Sequence, residues 1–169
     1  MNIVKIFISL ILSATSQFIN SVKFPHRPVY ISKWISDEHK ESIYNAMDQL
    51  DLIETQNKTD NHIRIEYANY NGGGISMEAH SHTDGYFEVY KSIIGINRLL
   101  DPVMFQCVVL HELLHAAGLA HNENSQVMKP IINYTESFCY LDIEDIINLY
   151  NIGFYDVGIS TSSYSRTND

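Results

Sequence analysis

Basic residues are scarce in this chain: 11 Lys and Arg stand against 20 Asp and Glu, a formal net charge of -9 over 169 residues. A surface of that sign repels phosphate backbones, whose binding rests on neutralisation by Lys and Arg, and no basic stripe interrupts it, so nucleic acid is not an expected partner. Nor is there an apolar run approaching the roughly 20 residues that span a bilayer. Internal repeats are missing, and low-complexity sequence is confined to the end of the chain. Cysteine is almost absent, with only Cys107 and Cys139, enough for a single disulfide. What is present is 45% hydrophobic, which gives one domain a real core and leaves too little chain for a second.

Met1 to Ser16 reads as a signal peptide. Lys5 lies near the start, Ile6 to Leu12 is largely apolar, and Ala14 and Ser16 supply the small residues expected before a cut after Ser16. The alternative is an uncleaved anchor or a first core strand. Export implies an oxidising compartment, where Cys107 and Cys139 are expected to pair, the alternative being two buried thiols. Asn57-Lys58-Thr59 and Asn133-Tyr134-Thr135 fit the glycosylation pattern, which makes Asn57 and Asn133 candidate acceptors on a secreted protein. Residues 17–28 then form a short N-terminal segment, 29–153 a catalytic-sized domain, and 154–169 a polar tail too poor in apolar side chains to stay ordered.

Within the domain, Val29-Tyr30-Ile31 is β-branched and aromatic, as a strand requires. Ser36 or Asp37 can cap a helix that runs to about Leu50, with Ile43, Met47 and Leu50 on one stripe. Ile63, Ile65 and Tyr67 alternate with Arg64 and Glu66, the period of a strand with one buried face. Asn71-Gly72-Gly73-Gly74 calls for a turn or a close backbone approach ahead of a strand from Ile75 to Ala79, and Ser92 to Asn97 reads as a buried strand. Asp101-Pro102 opens a helix, apolar nearly all round, that continues to Ala117, where Gly118 can end it. After an irregular stretch, Asp142 to Tyr150 resumes helical periodicity, with Gly153 placed to close it.

Chemistry concentrates in that apolar helix. His111-Glu112-Leu113-Leu114-His115 sets two imidazoles four residues apart, one turn above each other on the same face. Gly118, free to take positive φ, can break the helix and swing His121 back toward them. Three nitrogen ligands with an open fourth position mark a catalytic rather than a structural zinc site. Glu112 points about 100° away from His111, which suits a general base acting on water at the open position. Five fixed positions must coincide, so chance agreement is on the order of 10⁻⁴.

The string His111 to His121 matches in full the His-Glu-x-x-His-x-x-Gly-x-x-His signature of the metzincin metallopeptidases, and the chain resembles that clan. Met128 falls where the clan places its methionine turn. The Ser125 to Pro130 string is similar to the matrixins, the matrix metalloproteinase family, in which a proline also follows two places after the methionine; Pro130 argues against branches with a tyrosine there. Asp142-Ile143, Ile146 and Leu149-Tyr150 agree with the matrixin pattern in the last helix. The likeness covers about Val29 to Gly153. It implies an α+β zincin-like fold: a twisted mixed sheet, a backing helix, a central active-site helix and a C-terminal helix. It also implies one catalytic zinc, zinc-dependent endopeptidase activity, and an edge strand, Ile75, Ser76, Met77, Glu78 and Ala79, that pairs with an extended peptide or protein substrate.

Some matrixin features are missing. No propeptide cysteine lies between Ser16 and the first strand. Ala79-His80, with His82 and Asp84 nearby, is similar to a stretch that supplies a structural-zinc ligand, yet the upstream His-x-Asp has no counterpart, so neither a second zinc nor calcium is expected. Tyr134 sits later than the tyrosine lining the matrixin specificity pocket. The expected molecule is a secreted, monomeric zinc endopeptidase without stable membrane insertion after signal cleavage. The alternatives are a zinc exopeptidase or amidase, and a non-catalytic binding protein on the same fold.

Overall fold

The computed structural model describes residues 3–4, 22–23, 27–57, 62–69, 72–81, 87–130 and 140–152. Chain order sets the architecture: two-residue strands β1 (Ile3–Val4) and β2 (Val22–Lys23), then β3 (Val29–Ile31), α1 (Asp37–Asp48), β4 (His62–Ala68), β5 (Gly73–Ser81), β6 (Phe87–Asn97), α2 (Pro102–Ala116) and α3 (Ile143–Asn151). Ser36 starts α1 from extended backbone, its side chain accepting from His39 N, and Asp37 and Glu38 complement the positive end of the helix dipole. Asp101 does the same for α2, accepting from Val103 N and Met104 N, with Pro102 in the first turn.

The body of the mixed sheet runs β3-β4-β6-β5. β3 pairs with β4 and β4 with β6 in parallel, while β5 returns antiparallel along β6. β2 adds to the start of β6, and β1 pairs with β5 only at Ala79 and His80. Pairing aligns the inward side chains in rows: Val29, Ile63, Ser92 and Met77; Ile31, Ile65, Ile94 and Ile75; Tyr67, Ile96 and Gly73. Val29, Ile31, Ile63, Ile65, Ile94 and Ile96 of these rows, Ile43, Ala46 and Met47 of α1, and Phe105, Val108, Val109, Leu110, Leu113 and Leu114 of α2 share one buried core, while Met77 packs with Ala79 and Val89 in a second, smaller cluster. Each fully buried aliphatic side chain contributes about 1.5–3 kcal/mol, so α2 is fixed mainly by apolar burial.

The structure thus has the α+β composition expected, with three boundary corrections. Gly73 and Gly74 belong to β5 rather than to a turn ahead of it, because α2 approaches the sheet where Gly73 lacks a side chain. β5 consequently extends beyond Ile75 to Ala79 at both ends. β6 begins at Phe87 rather than Ser92; its early part sets Glu88 and Lys91 around buried Val89, and Tyr90 and Lys91 bind the Glu78 carboxylate at 2.6 and 3.1 Å. α3 spans Ile143–Asn151, but its isoleucines face outward: Ile143 is 76% and Ile147 51% exposed, and the helix buries Asp145 and Leu149 instead. Among the described residues no helix is long and apolar enough to cross a membrane. Gly153 and, apart from Ile3–Val4, the expected signal peptide lie outside the described residues.

Candidate metal centre

α2 carries His111 and His115 into the protein, where they are 9% and 3% exposed. His111 Nδ1 lies 2.7 Å from the Val127 carbonyl oxygen, and His115 Nδ1 2.7 Å from that of Leu119. Carbonyls only accept, so each Nδ1 carries the proton and each Nε2 presents a lone pair. Those Nε2 atoms face each other at 3.0 Å, and His121 Nε2 stands 3.3 Å from that of His111. Facing lone pairs repel. A cation between them reverses the sign of the interaction, and tetrahedral ligands at about 2.0–2.1 Å from zinc are themselves about 3.4 Å apart. The three donors lie within 4.8 Å of one another. The donor set therefore fits a metal ion. Burial, the largest cause, lowers the pKa of His111 to about 4 and of His115 to about 3; both are neutral at physiological pH, the form that binds metal.

The third histidine arrives through a break in the helix. Gly118 takes φ 104, Gly118 N donates to His115 O at 3.0 Å and Leu119 N to Leu114 O at 3.0 Å. This is the Schellman pair of bonds that closes a helix on a left-handed glycine. One turn therefore has two results: it redirects the chain to His121 and aims the Leu119 carbonyl at His115. His121 is more open than the other two, and its pKa is lowered chiefly by burial, with Glu123 opposing.

Glu112 is 5% exposed, and its Oε2 is buried with no hydrogen-bond partner among the described residues. Desolvation pushes its pKa up to about 7. The carboxylate is thus buried and unpartnered on the helix that carries His111 and His115, where burial favours its protonated form.

The chain matches no family model and no curated protein. Its own geometry carries the remaining description. Met128 is buried, and the turn that holds it is organised by Ser125, whose Oγ accepts from Val127 N at 3.1 Å and Met128 N at 2.8 Å. Asn122 N donates to Met128 O at 2.9 Å, and Asp142 accepts from Gln126 N at 3.0 Å and Asp145 N at 2.9 Å. The Val127 carbonyl that orients His111 is thereby tied to the start of α3. On the other side, fully buried Arg27 donates to Ser92 Oγ at 2.9 Å and to the Ala116 carbonyl at 3.1 Å. Its pKa falls only to about 10 through burial, so it remains a cation at the negative end of the α2 dipole.

Of the residues singled out in the sequence, His111, His115 and His121 converge on this centre; Glu112 follows His111 on α2, Gly118 makes the turn toward His121, and Met128 follows the Val127 whose carbonyl bonds His111. Ile75 to Ala79 lie on β5, which is unpaired on its outer side except at Ala79 and His80 among the described residues. Cys107 is disulfide-bonded; Cys139, Asn133, Tyr134, His82 and Asp84 lie outside the described residues, and Asn57 is exposed. Arg27 and Asp145 have no signal in the sequence, whereas Ser125 and Asp142, which stand there only within the matrixin-like strings, each have a local one: a hydroxyl two and three residues ahead of the amides it accepts from, and a carboxylate three residues ahead of the helix amide it caps.

Proposed function

We propose that this protein is a secreted zinc endopeptidase of the metzincin clan, matrixin-like, that hydrolyses peptide bonds in extracellular proteins. The observation that carries this reading is the convergence of three imidazole Nε2 atoms, two of them on the helix that also carries the orphaned Glu112 carboxylate. His111, His115 and His121 would hold the ion, leaving one coordination position without a protein ligand. When bound, zinc supplies Lewis acidity for the scissile carbonyl and lowers the pKa of water to about 7. Glu112 Oε2 accepts the proton from the attacking water and returns it to the departing amine nitrogen. The carboxylate's apolar surroundings bring its pKa near the working pH, where both transfers are feasible. Ahead of the two residues that pair with β1, the outer edge of β5 supplies main-chain donors and acceptors for an extended peptide. Met128 acts as the methionine turn, supporting His111 through the neighbouring Val127 carbonyl.

The test is Glu112→Ala with internally quenched peptides and metal analysis on the same preparation. Zinc stays stoichiometric while cleavage falls by about 10²- to 10⁴-fold. Unchanged turnover in that variant, or no chelator-sensitive cleavage by the unaltered protein, sinks the proposal.

A further inference from the structure

We infer that Gly73 is a positioning residue that sets the spacing between the Glu112 carboxylate and the strand proposed to receive the peptide; this rests on the endopeptidase reading above. Gly73 opens β5 in the same inward row as Tyr67 and Ile96, two positions before Ile75 and four before Met77, which both point side chains inward. At Gly73 that space belongs to α2. A Cβ built there would overlap Val108 Cγ1 and would stand 3.3 Å from Glu112 Oε1 and 3.4 Å from Glu112 Cγ. Val108 is a stiff β-branched side chain, 2% exposed in the core, so it has no inexpensive way to yield.

Neighbouring contacts explain why the strain would reach the site. Asn97 N donates to Gly72 O at 2.8 Å, fixing the start of β5 to the end of β6, and β6 leads through one short turn into α2. A methyl group at position 73 is therefore wedged between two elements joined at one end and opens them at the other, moving Glu112 relative to β5. The requirement is one of space. Among the described residues the positive-φ glycine is Gly118, whereas Gly73 needs no unusual dihedral. Gly72, one residue earlier, has nothing within 4 Å of an added Cβ and is the matched control.

The experiment compares Gly72→Ala and Gly73→Ala in the full chain, measuring zinc per chain, the thermal midpoint of the metal-free protein, kcat and KM on one quenched peptide. Gly72→Ala behaves as the unaltered protein. Gly73→Ala keeps its zinc and its KM to within about twofold while kcat falls on the order of 10²-fold, as an ångström-scale misplacement does; its metal-free midpoint falls as well. If Gly73→Ala does not fold, Gly73→Ala/Val108→Ala carries the test. It removes the overlap with Val108 and keeps the approach to Glu112, so its kcat lies below that of Val108→Ala alone. Equal kcat in that pair, or a kcat in Gly73→Ala that falls only in proportion to lost zinc, overturns the inference. An inactive unaltered protein instead refutes the endopeptidase reading.

Discussion

The two walls of the metal centre are held by different forces. α2 presents His111, Glu112 and His115 from a helix whose residues Cys107 to Ala116 are all buried, so their positions follow from apolar packing against the sheet. The opposite wall, from Asn122 to Met128 and the start of α3, sends Val127 and Met128 into the core but is otherwise polar and leaves Ile143 and Ile147 exposed. It is held by backbone amides bonded to Ser125, Asp142 and Asn122. Hydrophobic contacts are many and non-directional, whereas each polar contact here fixes one atom. Damage to the first wall should therefore cost stability, and damage to the second should cost metal affinity ahead of stability.

Leu113→Ala breaks the first wall and gives the largest expected change. Leu113 is fully buried between two metal-site residues, and truncating such a leucine costs about 2–5 kcal/mol. Urea unfolding of the metal-free variant reads this loss directly, and zinc affinity at low urea changes little. A loss below about 1 kcal/mol would mean that apolar packing does not hold this wall.

Asp142→Ala sharpens the contrast from the other side. It strips the acceptor from Gln126 N and Asp145 N, a capping loss of about 1–2 kcal/mol. The Val127 carbonyl loses its anchor, and His111 with it, so zinc affinity measured against a competing chelator falls about 10-fold or more, as for other supports behind metal ligands. Intact affinity with a stability loss matching that of Leu113→Ala would erase the distinction between the walls.

The same division decides what could be read from sequence. The first wall follows periodic signals: an apolar helix with a proline start, histidines four apart, and a glycine stop that in the structure takes φ 104. β4 was legible because Ile63, Ile65 and Tyr67 keep a period of two. The start of β6 is hard to read because Glu88 and Lys91 interrupt its apolar residues, Tyr90 and Lys91 being drawn to Glu78 on the neighbouring strand. Arg27 is not legible in sequence because its partners, Ser92 and Ala116, are 65 and 89 residues away. The exposed isoleucines of α3 defeat the pattern in the other direction, since helical spacing of apolar residues does not say whether anything packs against them. Gly73 lay between these cases: the run of glycines called for a close approach, but only the fold names Val108 and Glu112 as what it approaches.

Asp145→Asn is the finest of the three tests and has the opposite sign. Asp145 is fully buried in the second wall, and desolvation, the largest cause, raises its pKa from 3.8 to about 6. A carboxyl whose folded pKa lies above its unfolded value binds more protons when folded, so stability falls as pH rises through that window. The penalty is absent below about pH 3.8, grows up to about pH 6, and is constant above it. Asparagine carries no charge and escapes the penalty at every pH. The metal-free Asn variant should therefore melt above the unaltered protein at pH 8, by about 2–4 °C for a gain of about 1 kcal/mol in a domain of this size, with the gap closing toward pH 4. His111 and His115, whose lowered pKa values destabilise the metal-free fold in acid, are common to both proteins and cancel in the difference. A gap of the same size at both pH values would show that hydrogen bonding at this position, and not the buried charge, sets its contribution to the polar wall.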